Sequence, residues 1–541
     1  MGGKVKNKHL ILKLITAILF PFGNSFASVS TQSAQNFSAV EVLPMSDIGK
    51  YGFKPHEYWI QNTKNDEGFP IEPAQKFYKN LYNTIVENYV NPISHQEITN
   101  IIFEALSNFA EKLTIETTQN RILIYDKNLK AIGNFKKEAG DNSENYANIL
   151  TKTILSLREN SKKMKDAHQE QIFYATAYYL IKTLDENGSY LNPVLKERDF
   201  SDNSTSLGFS YRRTPSGIQV LSILKDSPVY FSDIKTGDII TGINKIPVKT
   251  LTDEQLEYIL TSTDTDLMHI DYVSYTFNKP SNTFIRKNRI VIPSITVSTF
   301  DNTPVIEIHN FKYDSSRELK QALDNAKTDN GIIIDLRGNL NGIANEAIES
   351  ANLFISGGDI LTTTGNNEYY NETYTAKNGD ILNDKPIIII ADNTTKGPAE
   401  IFASIMDGTN RAVIIGTPTF GNGNIQETFT LQNDSSITFT TSRAKNAKNI
   451  SIDKIGVIPI VCATSIIEEK DIDTLISNIN SNKFVDNRLS AKDITPETIN
   501  KVRKACLAFY PTPETNNLIL KTATKILKDT SAYKKLIAKN N

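Results

Sequence analysis

Four short apolar runs in the second half of the chain limit its fold more than any other feature. They occupy residues 305–308, 332–334, 387–390 and 413–415, and each is flanked by polar or turn residues. Runs apolar throughout belong in strands covered on both faces. Helical patterns lie between them, at 317–326, 343–354 and 399–406. Buried strands alternating with helices predict an α/β layered core over residues 292–460.

The whole chain has 541 residues, a formal charge of -2 and 39% hydrophobic residues, enough for about three domains. Balanced charge gives no reason to expect nucleic acid, and no basic stripe is interleaved with aromatics. At the N-terminus Lys4, Lys6 and Lys8 precede an apolar run at 10–22, and Ser25 and Ala27 supply small residues at a cleavage site. This pattern predicts a signal peptide over 1–27, since Pro21 and Gly23 break a run already short for a membrane span. The mature chain is therefore expected to be exported, to the bacterial periplasm, with no stable membrane span. Cys462 and Cys506 would meet an oxidising compartment there. A chain this long builds a core without staples, so the expectation is two buried free thiols, with a disulfide as the alternative.

A polar lead-in with the single tryptophan, Trp59, fills 28–70. A helical region is expected over 71–200. Phe77, Leu81 and Ile85 form one apolar stripe, and Ile102, Leu106, Phe109 and Leu113 a second, with Pro92 between them. A less regular insert follows to Tyr146, then helices at 149–157 and 171–184. This bundle is expected to carry no chemistry of its own.

Residues 206–275 have short strands and turn signals: Leu207-Gly208-Phe209, an alternating strand at 217–224, Asp226-Ser227-Pro228, and a glycine-aspartate turn at Gly237-Asp238 before a second strand. This stretch resembles a PDZ domain. The resemblance implies that Leu207, Gly208 and Phe209 receive a peptide carboxylate, and that the strand at 217–224 offers an edge to an extended peptide. The helix at 253–260 would form the other wall. Phe209 and Tyr211 suggest an apolar pocket and a preference for hydrophobic C-terminal residues.

The segment 385–426, KPIIIIADNTTKGPAEIFASIMDGTNRAVIIGTPTFGNGNIQ, closely resembles the catalytic segment of the carboxy-terminal processing peptidases (tail-specific proteases). In that family the nucleophilic serine stands three residues before a glutamate, and the general-base lysine lies between two glycines. Glu400 sets the frame here, so the nucleophile position is Gly397, and Gly421 and Gly423 bracket Asn422 at the base position. Of that set only the glutamine, Gln426, is retained. Residues 335–342, DLRGNLNG, match the family's oxyanion-region motif, with Leu340 and Asn341 altered and Gly342 kept. Asparagine tolerates the dihedrals glycine supplies there but adds bulk. The resemblance, running from 72 to 460, implies a multidomain α+β protein: N-terminal helical region, PDZ-like β domain, crotonase-like α/β spiral core and C-terminal helices over 461–541.

Peptide hydrolysis by such a dyad needs a hydroxyl to attack and a neutral amine to take its proton. Glycine has no atom to acylate, and a carboxamide accepts no proton near neutral pH. Losing such a group removes about six decades of rate. Rescue candidates are Thr394, Thr395 and Lys396 just upstream, Ser404 roughly 10 Å down the following helix, and His309 at a strand end. Neighbouring side chains point apart, and a lone histidine is more often structural. The six histidines, His9, His56, His95, His168, His269 and His309, show no metal-ligand spacing, so no metal or other cofactor is expected. Two readings follow. One is an exported pseudoprotease that binds the C-termini of exported proteins, acting on them alone or paired with itself or an active relative. The other is an active tail-specific serine-type endopeptidase with a non-standard nucleophile. The C-terminal helices at 471–480, 498–509 and 517–527 either cap the core or mediate dimerisation.

Overall fold

The computed structural model describes residues 69–539 apart from short internal stretches, the longest being 193–206. The expected signal peptide and nearly all the lead-in, Trp59 included, lie outside the described residues.

The helical region begins with α1 (Ile71–Asn88) and α2 (His95–Phe109), which bury the two apolar stripes. Ser94 starts α2. Its hydroxyl accepts the Glu97 N–H at 3.2 Å, and the Glu97 carboxylate accepts the Ser94 N–H at 2.9 Å, so two free helix-end donors are satisfied reciprocally. The stretch read as an irregular insert folds as a three-stranded antiparallel sheet: β1 (Thr114–Thr117), β2 (Arg121–Tyr125) and β3 (Ala131–Lys136). Within these strands only Ile122 and Ile124 are deeply buried, too faint an alternation to announce a sheet. The bundle closes with α3 (Ser143–Asn160), α4 (Lys162–Asp166) and α5 (Gln169–Leu184). Phe77 of α1 and Phe173 of α5 stack at 4.1 Å in its centre. The chain leaves the bundle through β4 (Ser189–Leu191).

A β unit follows, made of β5 (Phe209–Thr214), β6 (Gly217–Ile223), β7 (Ile239–Ile243), β8 (Ile246–Pro247), β9 (Leu267–Ser274) and β10 (Lys279–Arg286). Its sheet runs β10-β9-β7-β6-β5, with β8 paired to β7. One expectation is corrected here. The strand at 217–224 is not an edge: β6 pairs with β5 from end to end and with β7 at Ile218 and Gln219. A two-residue turn at 215–216 folds β5 back along β6, so among the described residues β5 is an edge strand, with β10 at the other end of the sheet.

The core contains β11 (Ile295–Phe300), β12 (Thr303–Ile308), α6 (Ser315–Asn325), β13 (Ile332–Asp335), α7 (Ala344–Asn352), β14 (Asp359–Thr364), β15 (Thr373–Thr375), β16 (Ile387–Ala391), α8 (Pro398–Gly408), β17 (Val413–Gly416), β18 (Asn424–Thr430), β19 (Ser436–Asn446) and β20 (Val461–Cys462). The main sheet runs β11-β12-β13-β16-β17-β20, parallel except for the β11–β12 pair. The four apolar runs are its inner strands. Successive side chains alternate between faces: Ile387 and Ile389 join the cluster with α6, α7 and α8, while Ile388 and Ile390 face the other way. A second sheet, β15-β14-β19-β18, takes β4 as an added strand on β19. Ile437 and Phe439 of β19 belong to the hydrophobic cluster of the helical region, so the bundle and the core share apolar contacts.

The C-terminal chain forms α9 (Glu469–Asn480), α10 (Pro496–Ala505), α11 (Pro513–Lys528) and α12 (Thr530–Lys539). Ile472, Ile479, Ile519, Ile526 and Leu536 cover the second face of the main sheet. Three of these helices thus cap the core, one of the two roles the sequence left open. The expectation of free thiols is overturned: Cys462 and Cys506 form a disulfide with Cα atoms 5.7 Å apart, inside the range such a bond spans. It ties β20 to the end of α10. Two cysteines 44 residues apart in sequence carried no local sign of this proximity.

Candidate functional site

The site is built where β16 ends and α8 begins. Residues 392–397 make a tight turn held by its own side chains. The Asp392 carboxylate accepts the Thr394 N–H at 2.8 Å and its hydroxyl at 2.5 Å. The Thr394 hydroxyl oxygen in turn accepts the Gly338 N–H at 2.7 Å. The Thr395 hydroxyl donates to the Leu336 carbonyl at 3.1 Å and accepts the Asp392 N–H at 3.1 Å. The Lys396 N–H donates to the Asn339 carbonyl at 2.9 Å. These bonds stitch the turn to the 336–339 loop that follows β13.

Gly397 sits at φ 60° and ψ −120°, a region that costs a residue with a side chain about 1–3 kcal/mol. Pro398 opens α8, where its missing N–H leaves no partner unmet. A Cβ built on Gly397 would meet a single neighbour within 4 Å, the Asn422 side-chain nitrogen at 4.0 Å. Asn422 is 6% exposed, and its side-chain oxygen is buried with no hydrogen-bond partner.

Glu400, fully buried, ties these elements together. Its carboxylate accepts the N–H of Gly397 at 3.1 Å, of Gly421 at 2.6 Å and of Asn422 at 2.7 Å, plus the Thr419 hydroxyl at 2.5 Å. Burial pushes its carboxyl above the usual range, and the four donors pull it back. All four groups donate, an arrangement only the ionised carboxylate satisfies fully.

Lys396 lies beside this clasp with its ammonium 4.6 Å from the Phe420 ring centroid. Burial holds its amine below the ordinary range, and the Lys182 charge adds to this, while Glu400, Glu186 and Asp185 oppose it. Gln426, on β18, donates to the Asp185 carboxylate at 3.0 Å, which also accepts the Thr440 N–H and hydroxyl, each at 2.7 Å. The helical region was expected to bring no chemistry, yet its end at Lys182, Asp185 and Glu186 borders the site. Nothing in the sequence marked Asp185 as the partner of Gln426.

The other singled-out residues are placed as follows. Asn341 lies outside the described residues. Gly342 has φ 147°, and a Cβ there would lie 2.7 Å from the Phe311 carbonyl oxygen, so no side chain fits. Ser404 is buried on α8. The His309 ring nitrogen is 2.9 Å from the Thr296 hydroxyl. Among the described residues no group of three or more His, Cys, Asp or Glu could hold a metal. In the β unit, Leu207 is buried and its carbonyl accepts the Val229 N–H at 3.0 Å. Gly208 has φ 79°, and its carbonyl accepts the Ser227 hydroxyl at 3.2 Å. Phe209 opens the edge strand with its ring 5.9 Å from Tyr211. Two contributors to the site were not foreseen: Thr419, and Arg503 of α10, whose guanidinium donates to the Thr419 carbonyl at 3.0 Å and the Ile455 carbonyl at 2.6 Å.

Residues 302–461 match the model of peptidase family S41. The carboxy-terminal-processing protease of Bartonella bacilliformis is 25% identical over 303 residues, covering 54% of this chain and 69% of that protein. The carboxyl-terminal-processing protease of Synechocystis is 24% identical over 249 residues, covering 45% of this chain and 58% of that one. This chain thus spans between about half and two thirds of the length of such relatives. A solved photosystem II D1 C-terminal processing protease shares the fold, with a TM-score of 0.50 at 17% identity over 72% of this chain and 92% of that one. Residues 302–461 thus match peptidase family S41, and the chain is similar to carboxy-terminal-processing proteases.

Proposed function

We propose that this chain is an exported, non-catalytic member of its family that captures protein C-termini and holds them without cutting. The observation that carries this reading is the pairing at the centre of the site. Gly397 presents no side chain, and the group facing it is the Asn422 carboxamide, 4.0 Å from where a Cβ would stand. Neither the attacking atom nor the proton acceptor of a serine–lysine dyad is supplied.

The competing reading, an endopeptidase with a substitute nucleophile, meets an obstacle in the same turn. The Thr394 proton is donated to Asp392 and the Thr395 proton to the Leu336 carbonyl. Either hydroxyl would have to abandon a buried hydrogen bond before attacking, at a net cost of about 0.5–1.5 kcal/mol. Ser404 lies in the body of α8, and His309 is engaged with Thr296.

Capture is assigned to the β unit, read as a PDZ-like module. Leu207, Gly208 and Phe209 would receive the terminal carboxylate, and the peptide would add to the free edge of β5. The partly buried Phe209 and Tyr211, packed against the apolar cluster of the unit, suit an apolar last residue. The disulfide supports an oxidising, exported setting. The test is binding of a peptide with an apolar C-terminus, compared with its amidated form. The reading requires binding that falls at least about tenfold on amidation, roughly 1.4 kcal/mol, with the peptide intact by mass. Equal binding of both forms would remove the capture assignment.

A further inference from the structure

The geometry points to Arg503 as a positioning residue of the site, held in place by the Cys462–Cys506 disulfide and acting through Thr419 on the clasp of Glu400. Arg503 stands on α10, beyond the family-matched residues 302–461. Its guanidinium makes no ion pair with any carboxylate among the described residues and donates instead to two main-chain carbonyls, Ile455 at 2.6 Å and Thr419 at 3.0 Å. Those carbonyls belong to two loops already laced together: Val457 N–H donates to the Thr419 hydroxyl oxygen at 2.7 Å, and Lys454 N–H to the Gly421 carbonyl at 2.8 Å. One side chain therefore straps both loops.

Thr419 carries the connection inward. Its carbonyl is held by Arg503 and its hydroxyl donates to Glu400, which receives the N–H groups of Gly397, Gly421 and Asn422. A residue pulled at both ends fixes the loop that aims Asn422 at Gly397. The disulfide supplies the other anchor. Cys506 follows Arg503 by three residues and binds Cys462, which pairs with Gly416 at the end of β17, the start of the same loop.

Charge works in the same direction. Two cations act on the buried Glu400 carboxylate: Lys396 from its own turn and Arg503 from α10. Lys396 is itself surrounded by Lys182, Asp185 and Glu186 at the end of α5. Arg503 is the fixed member of the pair, since its charge persists at all working pH values. It favours the ionised carboxylate that the four donors require. As pH falls and Glu400 takes a proton, the clasp loses acceptor sites, and removal of Arg503 makes this happen at a higher pH.

The consequence for peptide capture rests on the function proposed above; the consequence for the loop does not. The experiment follows amide hydrogen exchange over residues 417–424 of the mature, oxidised protein across pH 4–8, alongside peptide affinity. For Arg503→Gln the expected result is about tenfold less protection at Gly421 and Asn422, with loss of protection beginning about one pH unit higher. Arg503→Lys keeps the charge but not the two-pronged grip, so protection falls while the pH of loss stays near that of the natural chain. Reduction of the natural protein with dithiothreitol reproduces the Arg503→Gln loss without any substitution, which guards against a variant that does not fold. An unchanged pH of loss in Arg503→Gln, or unchanged protection on reduction, overturns the inference. A shifted loop transition in a protein that binds no peptide would instead leave the inference standing and remove the capture reading.

Discussion

Asn422 and Gly397 answer to the same carboxylate: Glu400 accepts the N–H of one at 2.7 Å and of the other at 3.1 Å. The frame that would bring a nucleophile and a base together is thus intact in the backbone, while the side chains that would react are a hydrogen and a carboxamide. At positions 397 and 422 the side-chain atoms take no part in holding the loops to Glu400. On the proposed reading such a site would keep its shape without turnover, because Glu400 meets residues 397 and 422 through their main-chain N–H groups and is indifferent to their side chains.

Gly397→Ser is expected to fold but to lose about 1–3 kcal/mol, since φ 60° with ψ −120° is strained for any residue with a Cβ. Gly397→Ala should cost about the same, separating strain from chemistry. Urea midpoints of the two variants check this. The room is present, with only the Asn422 nitrogen near the new Cβ, so the double variant Gly397→Ser with Asn422→Lys should gain peptide cleavage. An enzyme would tolerate this strain for catalysis, whereas a binder has no use for it.

Thr395→Val should destabilise without any effect on chemistry. Its fully buried hydroxyl satisfies the Asp392 N–H and the Leu336 carbonyl, so removal leaves the Asp392 N–H unmet and the Leu336 carbonyl with the Asn339 N–H alone, at about 1–3 kcal/mol. Thermal unfolding measures the loss. Any peptide turnover in the natural chain that disappears with Thr395→Val would instead identify the hydroxyl as a nucleophile.

Asp185 and Gln426 should be coupled. Asp185→Ala and Gln426→Ala each remove one side of a 3.0 Å hydrogen bond between the helical region and β18. A double-mutant cycle by denaturant unfolding should give about 0.5–1.5 kcal/mol of interaction. Asp185→Ala alone should cost more, because Thr440 loses its acceptor too. Additive effects would mean that the contact does not contribute.

His309 should make the fold acid-sensitive. Burial holds its imidazole below the ordinary 6.5, with Asp335 opposing and Lys312 adding to the shift. The folded state therefore binds the proton less readily than the unfolded chain. The contribution is present above about pH 6.5 and lost as pH falls through the lower folded value. The stability difference between pH 7 and pH 5 should shrink in His309→Gln, as read from urea midpoints at each pH.

Reducing the Cys462–Cys506 bond should lower stability by about 4 kcal/mol, the chain-entropy value for a loop of this size. Parallel denaturant curves with and without dithiothreitol give the number. No change would show that α10 is held by its other contacts alone.

The inner strands were legible because each is apolar on both faces; the four isoleucines at 387–390 alternate between two hydrophobic clusters exactly as a doubly covered strand must. The turn at Gly397 was legible from Glu400, whose bonds are all local or to the next glycine-rich loop. What was illegible depends on distant pairing. β1 to β3 bury too little to show a period, β5 becomes an edge only through its hairpin with β6, and Cys506 meets Cys462 only once α10 has folded back. Asp185 and Arg503 reach the site from elements that precede and follow the core, and no spacing in the sequence connects them to it.

The central claim is tested most directly by incubating the purified natural chain with a peptide ending in apolar residues and following its mass over time, beside the double variant Gly397→Ser with Asn422→Lys. The account predicts an intact peptide with the natural chain and cleavage products with the double variant. Cleavage products from the natural chain, abolished by Thr394→Val or Thr395→Val, would contradict it.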